Sequence, residues 1–253
     1  MRIKSWHRAL VLPLILGFAV PSDLYRTTAA NASAATVGPM KVPFGVGERL
    51  TYGVKLSAFN AGTTTMSVDS IVRIRGVPTY HTEFDLKGHI LFKHFDNHCE
   101  SWIDTLKFVS VHQVQTINGT TKSYDFYGDR KVYVRADTTF PSVSEPLDEC
   151  AFLYFLRTIP LEVGKTYSFD RYYHAEKNPI VVTVEKRERI TVAAGDFDAV
   201  LVHPVIKSNG MFSVAGQADV WIATEGSRPV LLLKTKLSLG TLYLELKDIG
   251  PKP

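Results

Sequence analysis

The sequence predicts a mainly β protein, a curled antiparallel sheet or open β-barrel of roughly twelve strands with one packed helix. Three observations carry this reading. Short runs rich in β-branched and aromatic residues, many of them alternating apolar and polar, follow one another along most of the 253 residues. Turn-forming pairs such as Asn118-Gly119, Gly128-Asp129 and Leu239-Gly240 separate them. One stretch alone, LDECAFLYFLR at 147–157, has convincing helical spacing, so the alternating strands and helices of a parallel sheet are missing.

The chain opens with Arg2, Lys4 and Arg8 before the apolar run ALVLPLILGFAV at 9–20. That run suits a signal-peptide core and is too short for a transmembrane helix. Ala32-Ser33-Ala34 supplies a small-residue cleavage pattern, with cleavage nearer Val20 or retention as an N-terminal anchor as the alternatives. The expected organisation is a signal peptide at 1–34, a flexible lead-in at 35–43 and one β-rich domain at 44–253, in a periplasmic or secreted protein. Removing the leader takes away Arg2, Lys4, Arg8 and Arg26 against Asp23, which brings the formal net charge from +4 to about +1. The basic balance therefore belongs to the leader and gives no argument for nucleic acid. No later segment is apolar enough to span a membrane as a helix.

Taken in order, LTYGVKL at 50–56 alternates, and GTTTMSVDSIVRI at 62–74 is long and β-branched. Runs at 79–86, 101–103, 108–117, 122–127 and 131–136 continue the pattern. After the helix come runs at 166–173, 180–192, 197–206, 217–223, 230–237 and 241–246. Gly62, Gly195 and Gly240 are expected where strands turn or backbones approach closely. Ser144 or Asp148 can cap the helix, and Glu145, Asp148 and Glu149 put negative charge at its positive end. Arg157 lies at its other end and Pro160 stops it. A helix this apolar needs cover on most sides, so it reads as a plug packed into or against the sheet, with Phe152, Tyr154 and Phe155 as the residues a ligand would meet.

Chemistry-bearing motifs are few. HFDNHC at 94–99 gathers His94, His98, Asp96 and Cys99, but no second ligand pair completes a zinc set, and a polar loop is the plainer reading. Cys150 stands in the first turn of the helix, where a thiolate is favoured, yet Glu145, Asp148 and Glu149 favour the neutral thiol. With two cysteines in an exported chain, a Cys99–Cys150 disulfide is the leading expectation and two buried thiols the alternative. The sequence has no G-x-S-x-G elbow, no P-loop and no G-x-G-x-x-G, and it implies no cofactor, no metal and no catalytic residues. Tyr124, Phe126, Tyr133, Phe140, Tyr167, Phe169, Tyr172 and Tyr173 either line an apolar cavity or pack as core.

Several stretches together resemble an exported bacterial family known as domain of unknown function 3108. They are VGERLTYGVKLSAFNAGTTTMSV at 46–68, CESWID at 99–104, and the helix with Asp148, Phe152, Tyr154 and Leu156-Arg157. VAAGDFDAVLVHP at 192–204 and DVWIATEGSRPVLLLKTKLSLGTLYLEL at 219–246 complete the set, so the resemblance spans 44–249. It implies export to the periplasm or cell envelope and a curled antiparallel architecture, and it brings no catalytic residues with it. Together these readings lead to a non-enzymatic envelope protein that binds an apolar small molecule or lipid within its sheet. A structural or assembly role with an envelope protein partner is the alternative, and an uncharacterised hydrolase built around His94, His98 or His174 is the third reading.

Overall fold

The computed structural model describes residues 41–90, 93–206, 218–237 and 240–251. The leader, the first part of the lead-in, the turn residue Leu239 and the side chain of His94 lie outside the described residues. The strands of the first half are β1 (Glu48–Leu56), β2 (Phe59–Ile74), β3 (Val77–Ile90), β4 (Lys93–Asp104), β5 (Ser110–Ile117), β6 (Thr120–Tyr127), β7 (Val132–Arg135) and β8 (Thr138–Pro141). The helix α1 (Glu149–Leu156) follows. The second half contains β9 (Thr166–Phe169), β10 (Ile180–Val192), β11 (Gly195–Val205), β12 (Ala218–Ala223), β13 (Val230–Leu237) and β14 (Gly240–Pro251). All fourteen strands form one antiparallel sheet in the order β8-β7-β6-β5-β4-β3-β2-β1-β14-β13-β12-β11-β10-β9.

Each half is thus an up-and-down meander, and the two are joined where the first strand pairs with the last. Local sequence explains the ladder. In β1, Leu50, Tyr52, Val54 and Leu56 are buried at a period of two, as expected of a strand with one face on a core. Asn118 and Gly119 take positive φ at the β5–β6 hairpin, as the sequence pair demands. Gly62 sits inside β2 rather than at a turn, and a Cβ there would lie 2.1 Å from the Lys87 carbonyl oxygen. Only glycine permits that approach of β3. The HFDNHC stretch is not a loop: β4 begins at Lys93 and runs straight through it. Its polar residues had concealed a strand in which Asp96 and His98 fall on one face and Asn97 on the other.

The free edges of the sheet are β8 and β9, the two strands that flank α1 in the chain. They do not pair with each other. Instead the segments that follow them meet: Leu147 N–H donates to the Arg171 carbonyl (2.6 Å), Tyr173 N–H donates to the Leu147 carbonyl (3.2 Å), and the Ser142 hydroxyl donates to the Tyr173 carbonyl (2.7 Å). The sheet therefore curls around α1 without closing its ladder. Every residue of α1 from Cys150 to Leu156 is buried, which is the burial expected of a helix that is apolar on all sides.

Four groups of contacts hold the helix. Asp148 caps it, accepting from the Cys150 and Ala151 amides at 2.9 Å each. The Ser101 and Ser110 hydroxyls from β4 and β5 donate to the same carboxylate. Tyr154 reaches across to donate to the Ser67 carbonyl of β2 (2.9 Å). Arg157, fully buried, pairs with Glu48 of β1 (2.8 Å) and donates to the carbonyls of Ser227 (2.7 Å) and Arg228 (3.1 Å). The Arg157 guanidinium also lies over the Phe44 ring at 4.7 Å. Cys99 of β4 and Cys150 of α1 are disulfide-bonded, which ties the first helical turn to the sheet. No helix among the described residues is long and apolar enough to cross a membrane.

Candidate ligand-binding site

A cavity of about 380 Å³ lies where the first turn of α1 meets the inner face of the sheet. Its apolar wall comes from Phe84 and Leu86 of β3, Ile117 of β5, Leu237 of β13 and Leu242 of β14. Alternation places these side chains: Phe84 and Leu86 are two apart on β3 and share a face. Cys99 brings the disulfide to the cavity wall, and Asn97, Gln115 and Glu149 supply its polar groups. The space falls within the roughly 300–1,000 Å³ of small-molecule sites, and an apolar lining with few polar groups is their usual make-up.

The polar groups are organised. The Glu149 carboxylate accepts from the Tyr172 hydroxyl at 2.8 Å and the Tyr173 hydroxyl at 3.3 Å. Gln113, wholly buried behind it, donates to Glu149 and to the Cys99 sulfur, both at 3.4 Å. The side-chain oxygens of Gln113 and Asn97 are buried and accept no hydrogen bond from the described residues. A buried amide oxygen left unpaired costs about 1–3 kcal/mol, so the Asn97 oxygen at the cavity is a ready acceptor for a hydroxyl or amine on a ligand, or for water. His98 borders the cavity but its ring lies on the other face of β4 from Asn97, beside Asp85 (2.8 Å) and Glu100 (3.2 Å). Burial works against its charged form, but the two carboxylates prevail and hold its pKa above the usual histidine value.

Asp148, next to Glu149, is completely buried. Burial pushes its carboxyl up to about 6, against the hydrogen bonds from Ser101, the Ala151 amide and Ser110 that favour the anion. Cys99, Asp148 and Cys150 bring donor atoms close together. With both sulfurs in the disulfide, the group has no thiolate to offer a metal.

The residues expected from sequence to meet a ligand are placed differently. Phe152, Tyr154 and Phe155 are buried among other side chains; Phe155 packs edge-on to Phe169 with ring centroids 5.0 Å apart. The helix contributes Glu149 to the cavity instead, because its first turn is the part that reaches the open end of the sheet. The central aromatics pack as core. Tyr133 and Tyr173 lie 5.2 Å apart, Phe126 and Tyr173 5.5 Å, all beside the seam between the sheet edges. His174 is stacked into this group, 4.2 Å from the Tyr173 ring, and burial lowers its pKa. Thus His98 and His174 contact carboxylates and aromatic rings, and among the described residues neither is hydrogen-bonded to a serine or cysteine. Sequence reading had missed Gln113 and Gln115; the signal was there, since both fall on the inward parity of β5, where an apolar residue is the norm.

The profile of the family described as "Protein of unknown function (DUF3108)" matches residues 49–247. The chain belongs to this family. The fold of this DUF3108 protein is similar to that of a beta-barrel-like protein of domain of unknown function DUF1849 from Brucella abortus. That superposition has a TM-score of 0.51 at 9% identity and covers 82% of this chain and 98% of the other. A putative lipoprotein from Parabacteroides distasonis is more distantly similar, with a TM-score of 0.32, 12% identity and coverage of 84% and 99%. A putative exported protein with YmcC-like fold from Bacteroides fragilis has a TM-score of 0.29, 12% identity and coverage of 83% and 99%. No functionally curated protein matches the chain. At these identities the DUF1849 structure speaks to the fold alone.

Proposed function

We propose that this DUF3108 protein is an exported, non-enzymatic binding protein that holds an apolar small molecule or lipid-like chain in the cavity beside the first turn of α1. The observation that carries this reading is the cavity's lining: an apolar wall from β3, β5, β13 and β14, faced at one side by Glu149 and by the unpaired amide oxygen of Asn97. An amphipathic ligand matches it, with an apolar body on the leucines and a hydroxyl or amine at the polar side. Export is supported by the basic residues and apolar run at the start of the chain and by the use of both cysteines in a disulfide.

Native mass spectrometry of the purified protein, followed by organic extraction, tests the proposal. A co-purifying apolar species, displaced by the fluorescent probe 1-anilinonaphthalene-8-sulfonate, is the expected result. Leu242→Trp, which fills the cavity, should abolish both the bound species and the probe fluorescence. Unliganded protein that also fails to take up the probe would overturn the reading.

A further inference from the structure

The outer face of the sheet carries a second cluster, separate from the cavity reading. Asp69 of β2 with His81 and Glu83 of β3 place one imidazole nitrogen and two carboxylate oxygens within 4.8 Å of one another. We propose that these three side chains form a binding site for a divalent transition-metal ion of the zinc type.

Three features of the sheet support this. First, Asp69 is a β-bulge residue. The β2–β3 register passes from Val68↔Thr82 to Ser70↔His81 and leaves Asp69 as the extra position. Bulges re-aim a side chain out of the regular alternation, and they concentrate next to functional sites. Second, the His81 ring is held on its far side. Glu100 of β4 lies 2.8 Å from Nε2, and the Trp102 ring stacks on the imidazole at 4.6 Å. A carboxylate on one nitrogen, fixing the ring while the other nitrogen binds the ion, is the usual support of a metal-bound histidine. Third, Glu83 and Glu100 stand directly opposite each other in the β3–β4 register. Like charges in that position destabilise a strand pair; His81 and His98 offset part of the Glu100 charge, and a bound cation adds to that compensation.

Two other histidines of this outer surface are more fully paired than His81, and a third, His112 with Nδ1 on Asp125 (2.9 Å), stands in no such three-residue cluster among the described residues. His98 has Nδ1 on Asp85 and Nε2 on Glu100. His203 likewise has Nε2 on Glu185 (2.9 Å) and Nδ1 on Asp219 (2.9 Å), with Lys234 beside Asp219 at 3.5 Å. Both nitrogens of these rings are occupied by carboxylates. In His81 the carboxylate lies against Nε2, so Nδ1 is the nitrogen assigned to the ion. An ion about 2.0–2.2 Å from each donor needs them within about 4.2 Å of one another, a side-chain adjustment from the observed spacing. Imidazole in the set favours a borderline transition ion over magnesium or calcium, which prefer oxygen alone.

The test is zinc chloride titration, by calorimetry and equilibrium dialysis, of chelator-stripped protein purified without a histidine tag. One ion per chain should bind, and cobalt(II) at the same site should give a visible absorption band. His81→Gln should remove both signals, Glu100→Gln should weaken zinc by at least about tenfold, and His203→Gln should leave it unchanged. Glu83→Gln stands in for His81→Gln if the latter melts lower in metal-free buffer. No saturable binding, binding that survives His81→Gln, or loss in His203→Gln would each overturn the proposal.

Discussion

The two ends of α1 are both charged and both buried, yet the fold treats them in opposite ways. At the C-terminal end, Arg157 is sealed: it pairs with Glu48, donates to two carbonyls of the β12–β13 connection and lies over the Phe44 and Tyr154 rings. At the N-terminal end, Asp148 is sealed by two serines and two amides, but Glu149 one residue later opens onto the cavity. The difference teaches that one end of the plug serves to fix the helix, while the other fixes it and leaves room for a guest. It also explains why the disulfide sits at the N-terminal end. A bond from Cys150 to β4 holds in place the end that the cavity leaves less well packed.

Breaking the sealed end should have the largest effect. Arg157→Met leaves Glu48 buried without its partner and is expected to cost about 3–5 kcal/mol in denaturant unfolding. Adding Glu48→Gln should recover much of that loss, because the uncompensated charge disappears. Opening the other end comes next. The Cys99–Cys150 bridge spans 51 residues, and a loop of that size gives about 4 kcal/mol in the chain-entropy account, often less in practice. Cys99→Ser with Cys150→Ser should lower the melting temperature accordingly, and a reductant should lower the native protein to the same value.

A smaller effect separates the two carboxylates of the N-terminal end. Asp148 titrates at about 6 in the folded protein, above its ordinary value of 3.8. The folded state therefore binds more protons than the unfolded state between those two values. Its contribution to stability is fully present below about pH 4 and is lost as the pH rises through about 6, an effect on the order of 3 kcal/mol. Unfolding curves at pH 4 and pH 7 should reveal it, and Asp148→Asn should flatten that part of the profile. An unchanged profile in the variant would assign the pH dependence to another group.

Particular residues show how far the sequence could be read. The alternation of Leu50, Tyr52, Val54 and Leu56 announced β1, and the Asn118-Gly119 pair announced a hairpin, because side-chain parity and positive φ are local properties. The short β8 was missed because Thr138–Pro141 offers little alternation and ends on a proline. The first half of β4 was hidden for a related reason. His98 and Glu100 are polar because they face outward, and Asn97 is polar because it borders a cavity. A strand whose inner face meets a cavity loses the apolar stripe by which strands are recognised.

The sequence by itself determined the β class, the single helix, its acidic cap and its basic end, since propensity, period and capping act over a few residues. Tertiary structure alone decided the partners of those groups. Arg157 meets Glu48 across 109 positions of chain. His81 meets Glu100 across 19. The order in which strands pair, the seam between β8 and β9, and the turn of the helix that is left facing a cavity were likewise settled only in the folded chain. Such pairings depend on how the sheet curls, and curling sums the twist of fourteen strands and their bulges rather than the preference of any one segment.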